Sequence, residues 1–353
     1  MRRLCNFIHL TNILTLVLFS FGISICSTSI FAKEPVKLIY DTDVGNDIDD
    51  VLALALIHNL ESRGECQLLA VTITKDNQYA APFIKMVNTF YGRPDIPIGM
   101  VQESGVETFD GSYLKQTLEA KDENGNLKFP FYDLKKETEV FPCATKLLRK
   151  TLAENEDQSI VIVQVGFSTN LARLLDSKAD DFSSLNGKEL AAKKVRLASV
   201  MAGAFSKELE KHTEYNVVKD IPSAQKFFAE WPTPIYVSGF EIGKDILMTG
   251  KSISNDYEYI DHHPVKESYH FYRGLENDQC TWDLTSVLFA VRPDRGYFDI
   301  SEKGIVHVRD DSTTWFEASD EGKDYYLIVN PEQRIRIQET FFWLCSELRE
   351  IPD

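Results

Sequence analysis

Five carboxylates fall within ten residues at Asp41-Thr42-Asp43-Val44-Gly45-Asn46-Asp47-Ile48-Asp49-Asp50, between an apolar run from Val36 to Tyr40 and a long apolar segment from Val51 to Ile57. Val36 to Tyr40 reads as a buried parallel-type strand, Gly45-Asn46 as a turn, and Asp47 to Leu60 as a helix with acidic residues in its first turn. Ligands of open α/β sheets bind outside the carboxyl ends of the strands. Acids crowded at that edge repel one another unless a cation offsets them. A hard cation meets that need. The carboxylate density favours calcium over magnesium, which takes fewer protein oxygens in a stricter octahedron.

Three other readings of the stretch fit less well. An EF-hand loop counted from Asp41 needs glycine at its sixth position and glutamate at its twelfth, where Asn46 and Leu52 stand. A haloacid-dehalogenase-like phosphatase wants Thr or Val two residues after the second Asp, at the place of Gly45. A solvated helix-capping turn accounts for one or two Asp, not five beside a fully apolar helix. The stretch resembles the Asp-x-Asp-Pro-Gly-x-Asp-Asp signature of the inosine-uridine-preferring nucleoside hydrolases. Asp41, Asp43, Gly45, Asp49 and Asp50 match, Val44 replaces the Pro, and Asn46-Asp47-Ile48 fills the space of one residue. Four later blocks match in the family's order, so the resemblance runs over roughly residues 36 to 292.

A chain of 353 residues with 43% apolar content can build one large α/β domain or two ordinary ones. Residues 1 to 32 read as a signal peptide, with Arg2-Arg3, an apolar core around Ile13 to Ile25 and small residues ending near Ala32. This predicts a secreted or periplasmic protein with its domain over 33–353. Cys26 invites a lipoprotein reading, which the bulky Ile25 opposes. The leader is also too polar for a good stop-transfer helix, so no membrane association is expected after cleavage. Cleavage removes two basic and no acidic residues, which makes a net charge of −16 two units more negative. Such a surface has no basic stripe for nucleic acid, and a small neutral ligand suits it better. Cys66, Cys143, Cys280 and Cys345 are widely spaced and form no Cys-x-x-Cys pair, so the sequence leaves their pairing open.

Further along, Cys66 to Thr74 reads as a strand, with Asn77 at its carboxyl end and a helix from Ala80 to Tyr91. Asp95 to Gly99 resembles the family's third strand. Val101 to Val140 lacks periodicity and reads as an insertion over the site or at a contact of a homo-oligomer. A helix over Ala144 to Leu152 and a buried strand over Ser159 to Val165 precede Gly166-Phe167-Ser168-Thr169-Asn170, which resembles the family's Gly-Pro-Leu-Thr-Asn turn. Lys194 to Ala202 is a strand, and Met201-Ala202-Gly203 resembles Met-x-Gly. Glu214-Tyr215-Asn216 resembles the Glu-Phe-Asn block, and as an extended segment it would aim a carboxylate and an amide to one side, as suits a vicinal diol. Glu208 stands where the family has an upstream Asn, and Gly239-Phe240-Glu241 replaces a Leu-Asp pair. Ser223 to Trp231 reads as a helix and Pro234 to Ser238 as a strand. His262-His263 and His270 read as a surface loop before a catalytic or metal role. Trp282-Asp283-Leu284-Thr285-Ser286 resembles His-Asp-Pro-Val-Ala, with Trp282 in place of the His proposed to protonate the base. Residues 300 to 353 predict two strands and a helix from Pro331 to Leu348.

The resemblance implies a single α/β domain with a mostly parallel central sheet flanked by helices. It implies Ca2+ held by Asp43, Asp50, Asp283 and the Thr169 carbonyl. Asp49, Asn77, Glu214 and Asn216 would contact the sugar of a nucleoside or riboside, and Asp43 would activate water for N-glycosidic hydrolysis. The alternative is a secreted ribose- or nucleoside-binding protein that keeps the metal cradle without turnover.

Overall fold

Apolar runs without alternation, such as Leu38-Ile39-Tyr40 and Ile160 to Val163, can only be strands covered on both faces, and they form the centre of the sheet. The computed structural model describes residues 34–102, 112–132 and 140–347. The described residues from Glu34 onward cluster as one compact unit. The strands are β1 (Val36–Thr42), β2 (Cys66–Ile73), β3 (Ile98–Met100), β4 (Ile160–Gln164), β5 (Val195–Met201) and β6 (Ile235–Ser238). They are followed by β7 (Leu247–Met248), β8 (Gln279–Cys280), β9 (Asp299–Ile300), β10 (Gly304–Val308), β11 (Thr314–Ala318) and β12 (Asp324–Ile328). The main sheet runs β11-β10-β12-β6-β5-β4-β1-β2-β3, with β9 on β12, while β7 and β8 form a separate pair.

From β3 to β6 and on to β12 every pairing is parallel. The order 3-2-1-4-5-6 is that of a doubly wound sheet, in which the chain reverses direction between β1 and β4. The loops after those two strands therefore diverge and leave a crevice. Leu38, Tyr40, Val161 and Val163 point into one apolar layer, and Ile39, Ile160 and Ile162 into the other. Helices cover both faces. Helix Asp49–Ser62 is buried around its circumference from Asp49 to Leu60, between the sheet and helices Trp282–Val291 and Pro331–Ser346. An all-round apolar helix is stable only in such a place.

The expected helix from Asp47 starts two residues later, at Asp49. The aperiodic stretch after Val101 contains a helix, Ser112–Leu118, packed against helices Ala80–Phe90 and Pro264–Arg273. The C-terminal region holds four short strands rather than two. They extend the sheet with antiparallel pairs β10–β11, β10–β12 and β9–β12. Their alternation is blurred because most of their residues are only partly covered. All four cysteines in the described residues are free thiols. The expected signal peptide lies outside the described residues.

Candidate active site

Asp41 is the last inward-paired acid of β1, and it is structural. Fully buried, it accepts from Thr72 Oγ1 on β2 (2.5 Å) and from Asn170 Nδ2 (2.9 Å), tying the two strands to the helix after β4. Burial pushes its carboxyl up to about 7, with both hydrogen bonds pulling the other way. The chain then turns through Gly45, whose φ of 116° belongs to glycine, and where a Cβ would lie 2.8 Å from Leu114 Cδ1. Tyr113 from the inserted helix pins this loop, accepting from Gly45 N (3.0 Å) and donating to the Asp47 carbonyl (2.7 Å). Tyr40 Oη donates to the Asp50 carbonyl (3.0 Å), which fixes the start of the next helix on its own strand.

The loop forms the acidic floor of a cavity of about 430 Å³, walled by Asp43, Asn46, Asp47, Asp49 and Asp283. Asp47, Asp49 and Asp50 each present an oxygen within 4.8 Å of the others. Asp283 N donates to Asp49 Oδ2 (3.1 Å), so the helix opened by Trp282 delivers its acid to the same place. Thr42 Oγ1 donates to Asp50 Oδ1, and Asn46 Nδ2 to Asp43 Oδ2. Burial, followed by the charges of Asp50 and Asp47, holds Asp43 well above the usual carboxylate range. The same holds for Asp49, through burial and Asp47, and for Asp283, through burial and Asp49. Asp50 is pushed up to about 7 by burial and Asp47. So many dry carboxylates are ionised together only with a cation among them, and an all-oxygen donor set fits a hard one.

The rest of the lining is part polar and part aromatic. Glu214 and Asn216 supply the polar groups, with the apolar Val165 and Met201 beside them. The expected extended segment is instead the start of a short helix, Tyr215–Lys219, which Glu214 caps. The Glu214 carboxylate accepts from Asn216 N (2.8 Å), Gly203 N (3.0 Å) and Val217 N (3.2 Å). Burial still pushes it up to about 7. Asn216 Nδ2 is committed to the carbonyls of Val165 (2.7 Å) and Met201 (3.2 Å), so what it can offer a ligand is its oxygen. Phe240, Trp282, His212, Tyr215 and Tyr272 make the aromatic side. Trp282 and Phe240 stack at 5.4 Å, and His212 lies 4.0 Å from Phe240, centroid to centroid. The Trp282 indole N–H is spent on the Phe240 carbonyl (2.9 Å). Burial and the Lys244 charge hold the His212 imidazole below its usual range.

Three sequence assignments do not line the cavity: Asp50 is buried beside it, grouped with Asp47 and Asp49, and Thr169 and Asn77 have other partners. Thr169 is the first residue of helix Thr169–Asp176, its hydroxyl donates to Asp220 Oδ2 (2.5 Å), and a helical carbonyl is aimed at the N–H four residues on. The residue after β4 that lines the cavity is Val165, whose carbonyl accepts from Asn216 Nδ2. Asn77 accepts from Tyr79 N (2.8 Å) and shapes the entry to helix Ala80–Phe90, away from the cavity wall. His263 is neither a surface residue nor part of the site. It is buried among Phe90, Tyr91 and Tyr257, caps helix Pro264–Arg273 through Nδ1 (3.2 Å to Val265 N), and burial lowers it to about 3. His212, Tyr272 and Val165 line the cavity and carry no motif that would have marked them. Asp47 was visible in the acidic run but fell in the two-residue expansion.

A doubly wound sheet with an acidic cavity at its switch point, its other lining part polar and part aromatic, defines an α/β enzyme for a small ligand that is part polar and part flat. The family follows from the sequence: residues 38–330 match the model of the inosine-uridine preferring nucleoside hydrolases, and the chain belongs to that family. It is accordingly an N-ribohydrolase, acting on N-glycosyl bonds. The fold is similar to that of a plant nucleoside hydrolase (TM-score 0.62, 22% identity, 88% of this chain and 99% of that one). It is also similar to a purine-preferring ribonucleoside hydrolase from Gardnerella vaginalis (0.65, 17%, 90% and 100%). An inosine-uridine preferring nucleoside hydrolase from Bacillus anthracis is a third likeness (0.64, 16%, 88% and 99%). Among curated proteins, none matches the chain in sequence.

Proposed function

We propose that this enzyme hydrolyses the N-glycosidic bond of ribonucleosides in a calcium-dependent reaction, releasing the base and ribose. The observation that carries this reading is the convergence of Asp43, Asp47, Asp49, Asp50 and Asp283 at a cavity also lined by aromatic rings. Asp43, Asp50 and Asp283, joined by Asp47 and Asp49, would hold the ion. When bound, calcium would supply the positive charge that holds a sugar diol and makes a water more acidic. Asp49, Glu214 and the Asn216 oxygen accept hydrogens from the ribose hydroxyls and hold the anomeric carbon over Asp43. Asp43 takes the proton of the attacking water as the water oxygen bonds to that carbon. The carbon–nitrogen bond breaks, its electron pair leaves with the base, and the surrounding carboxylates stabilise the oxocarbenium-like sugar. Phe240 and Trp282 offer flat faces to the base. The competing reading, a binding protein without turnover, is less well supported because the chain is a member of a hydrolase family.

We also propose export, with the leader cut near Ala32. Two substitutions test the site. Asp50→Ala is expected to lose both metal and turnover, whereas Asp43→Asn keeps much of the metal and little of the turnover. Full activity in a chelator-stripped sample would overturn the proposal.

A further inference from the structure

Lys75 lies two residues past the end of β2 and has no exposed surface. Lysines are almost never fully buried unless paired, because an ammonium loses its hydration there. The Lys75 Nζ donates to Asn46 Oδ1, and Asn46 Nδ2 donates in turn to Asp43 Oδ2. Tyr215 Oη also donates to Asn46 Oδ1 (3.2 Å), a second contact that fixes the amide's orientation. The ammonium lies directly under the turn of the acidic loop, 3.7 Å from where a Gly45 Cβ would be. Its charge reaches Asp43 and Asp50 and pulls both carboxyls down against burial. A strand end on one side of the switch point thus sends a fixed positive charge into the set of acids that the neighbouring strand end presents.

We propose that Lys75 is a resident cation of this site, positioning Asp43 through Asn46 and opposing the entry of a divalent ion, so that the acids hold calcium less tightly than they would without it. This rests on the calcium reading above. The consequence is an unusual sign. Deleting a charge from a metal site's surroundings by damage weakens binding, whereas deleting Lys75 strengthens it, since like charges at short range in a poorly screened place repel strongly.

Calorimetric titration of chelator-stripped protein with calcium chloride tests this on wild type, Lys75→Met and Asn46→Leu, with kcat and KM for a ribonucleoside measured beside it. Lys75→Met is expected to bind calcium about tenfold more tightly or better, and to lose kcat with KM nearly unchanged because Asp43 is no longer held. Asn46→Leu keeps the charge and breaks the relay, so its calcium affinity stays within about threefold of wild type while kcat falls. Should Lys75→Met not fold, Lys75→Gln carries the same expectation of tighter binding and retains a donor for Asn46. Equal or weaker calcium binding without Lys75, in a wild type that does bind calcium, overturns the role of Lys75 alone. No calcium binding by wild type overturns the metal reading and this inference with it.

Discussion

Replacing Asp41 by Asn is expected to change the sign of its effect on stability with pH. Asp41 is fully buried, and its Oδ1 accepts from Thr72 and Asn170 while its Oδ2 has no partner among the described residues. Its folded-state pKa of about 7 lies above the ordinary value of 3.8. For an acid raised in this way, the folded state is favoured below the unfolded pKa, and that advantage is lost as pH climbs through the folded pKa. The window runs from about pH 4 to about pH 7, and three units at about 1.4 kcal/mol each cost the wild type about 4 kcal/mol by pH 8. Asn carries no charge and avoids this cost, but it turns the unpartnered oxygen into a buried, unpaired N–H group at about 1–3 kcal/mol. At pH 4.5 the wild type has already lost about 1 kcal/mol, so the variant should be less stable there by up to about 2 kcal/mol, and it should be more stable than wild type at pH 8 by about 1–3 kcal/mol. Urea denaturation of both proteins in chelator at the two pH values reads this directly. Every other titrating group cancels in the difference. An Asn variant weakened equally at both pH values would refute the reasoning.

Three shorter expectations follow from other parts of the molecule. Tyr113→Phe removes the hydroxyl shared by Gly45 and Asp47 and should cost about 1–3 kcal/mol in urea denaturation, with weaker calcium retention; unchanged stability and metal content would show that the inserted helix does not pin the loop. Because the Trp282 N–H is spent on Phe240 and indole is no useful acid, kcat/KM should favour nitrophenyl riboside over inosine and uridine by about 10²- to 10⁴-fold, the usual span of general-acid help. Comparable values on all three would point to the cavity imidazole of His212 as an acid, and His212→Gln would then slow inosine selectively. Mass spectrometry of the exported protein should find a chain starting just after Ala32, and an intact Met1 or a lipid on Cys26 would contradict the proposed leader.

Much of the floor of the site was legible because it is local. A strand, a glycine turn and a helix in succession place Asp43, Asp49 and Asp50 at one sheet edge whatever the rest of the chain does, and Asp283 is carried there at the first turn of an apolar helix. Backbone and long-range contributions were not legible. Val165 lines the cavity without any residue signature, whereas the turn motif points to Thr169, whose neighbour Asn170 holds Asp41. Glu214 and Asn216 were placed in the cavity for the wrong local reason, since a Glu that accepts from two following N–H groups marks a helix start rather than an extended segment. His212, Tyr272 and Lys75 meet the acids only through the fold. Two of the four C-terminal strands escaped because short, partly exposed strands at one end of the sheet lack clear alternation.

Product analysis of the purified protein with inosine and uridine, in calcium and then in excess chelator, tests the central claim most directly. The expected result is free base and ribose in equal amounts with calcium, loss of both on chelation, and recovery when calcium is restored. Tight nucleoside binding in calcium with no base released would contradict it and would make the protein a receptor built on a hydrolase fold.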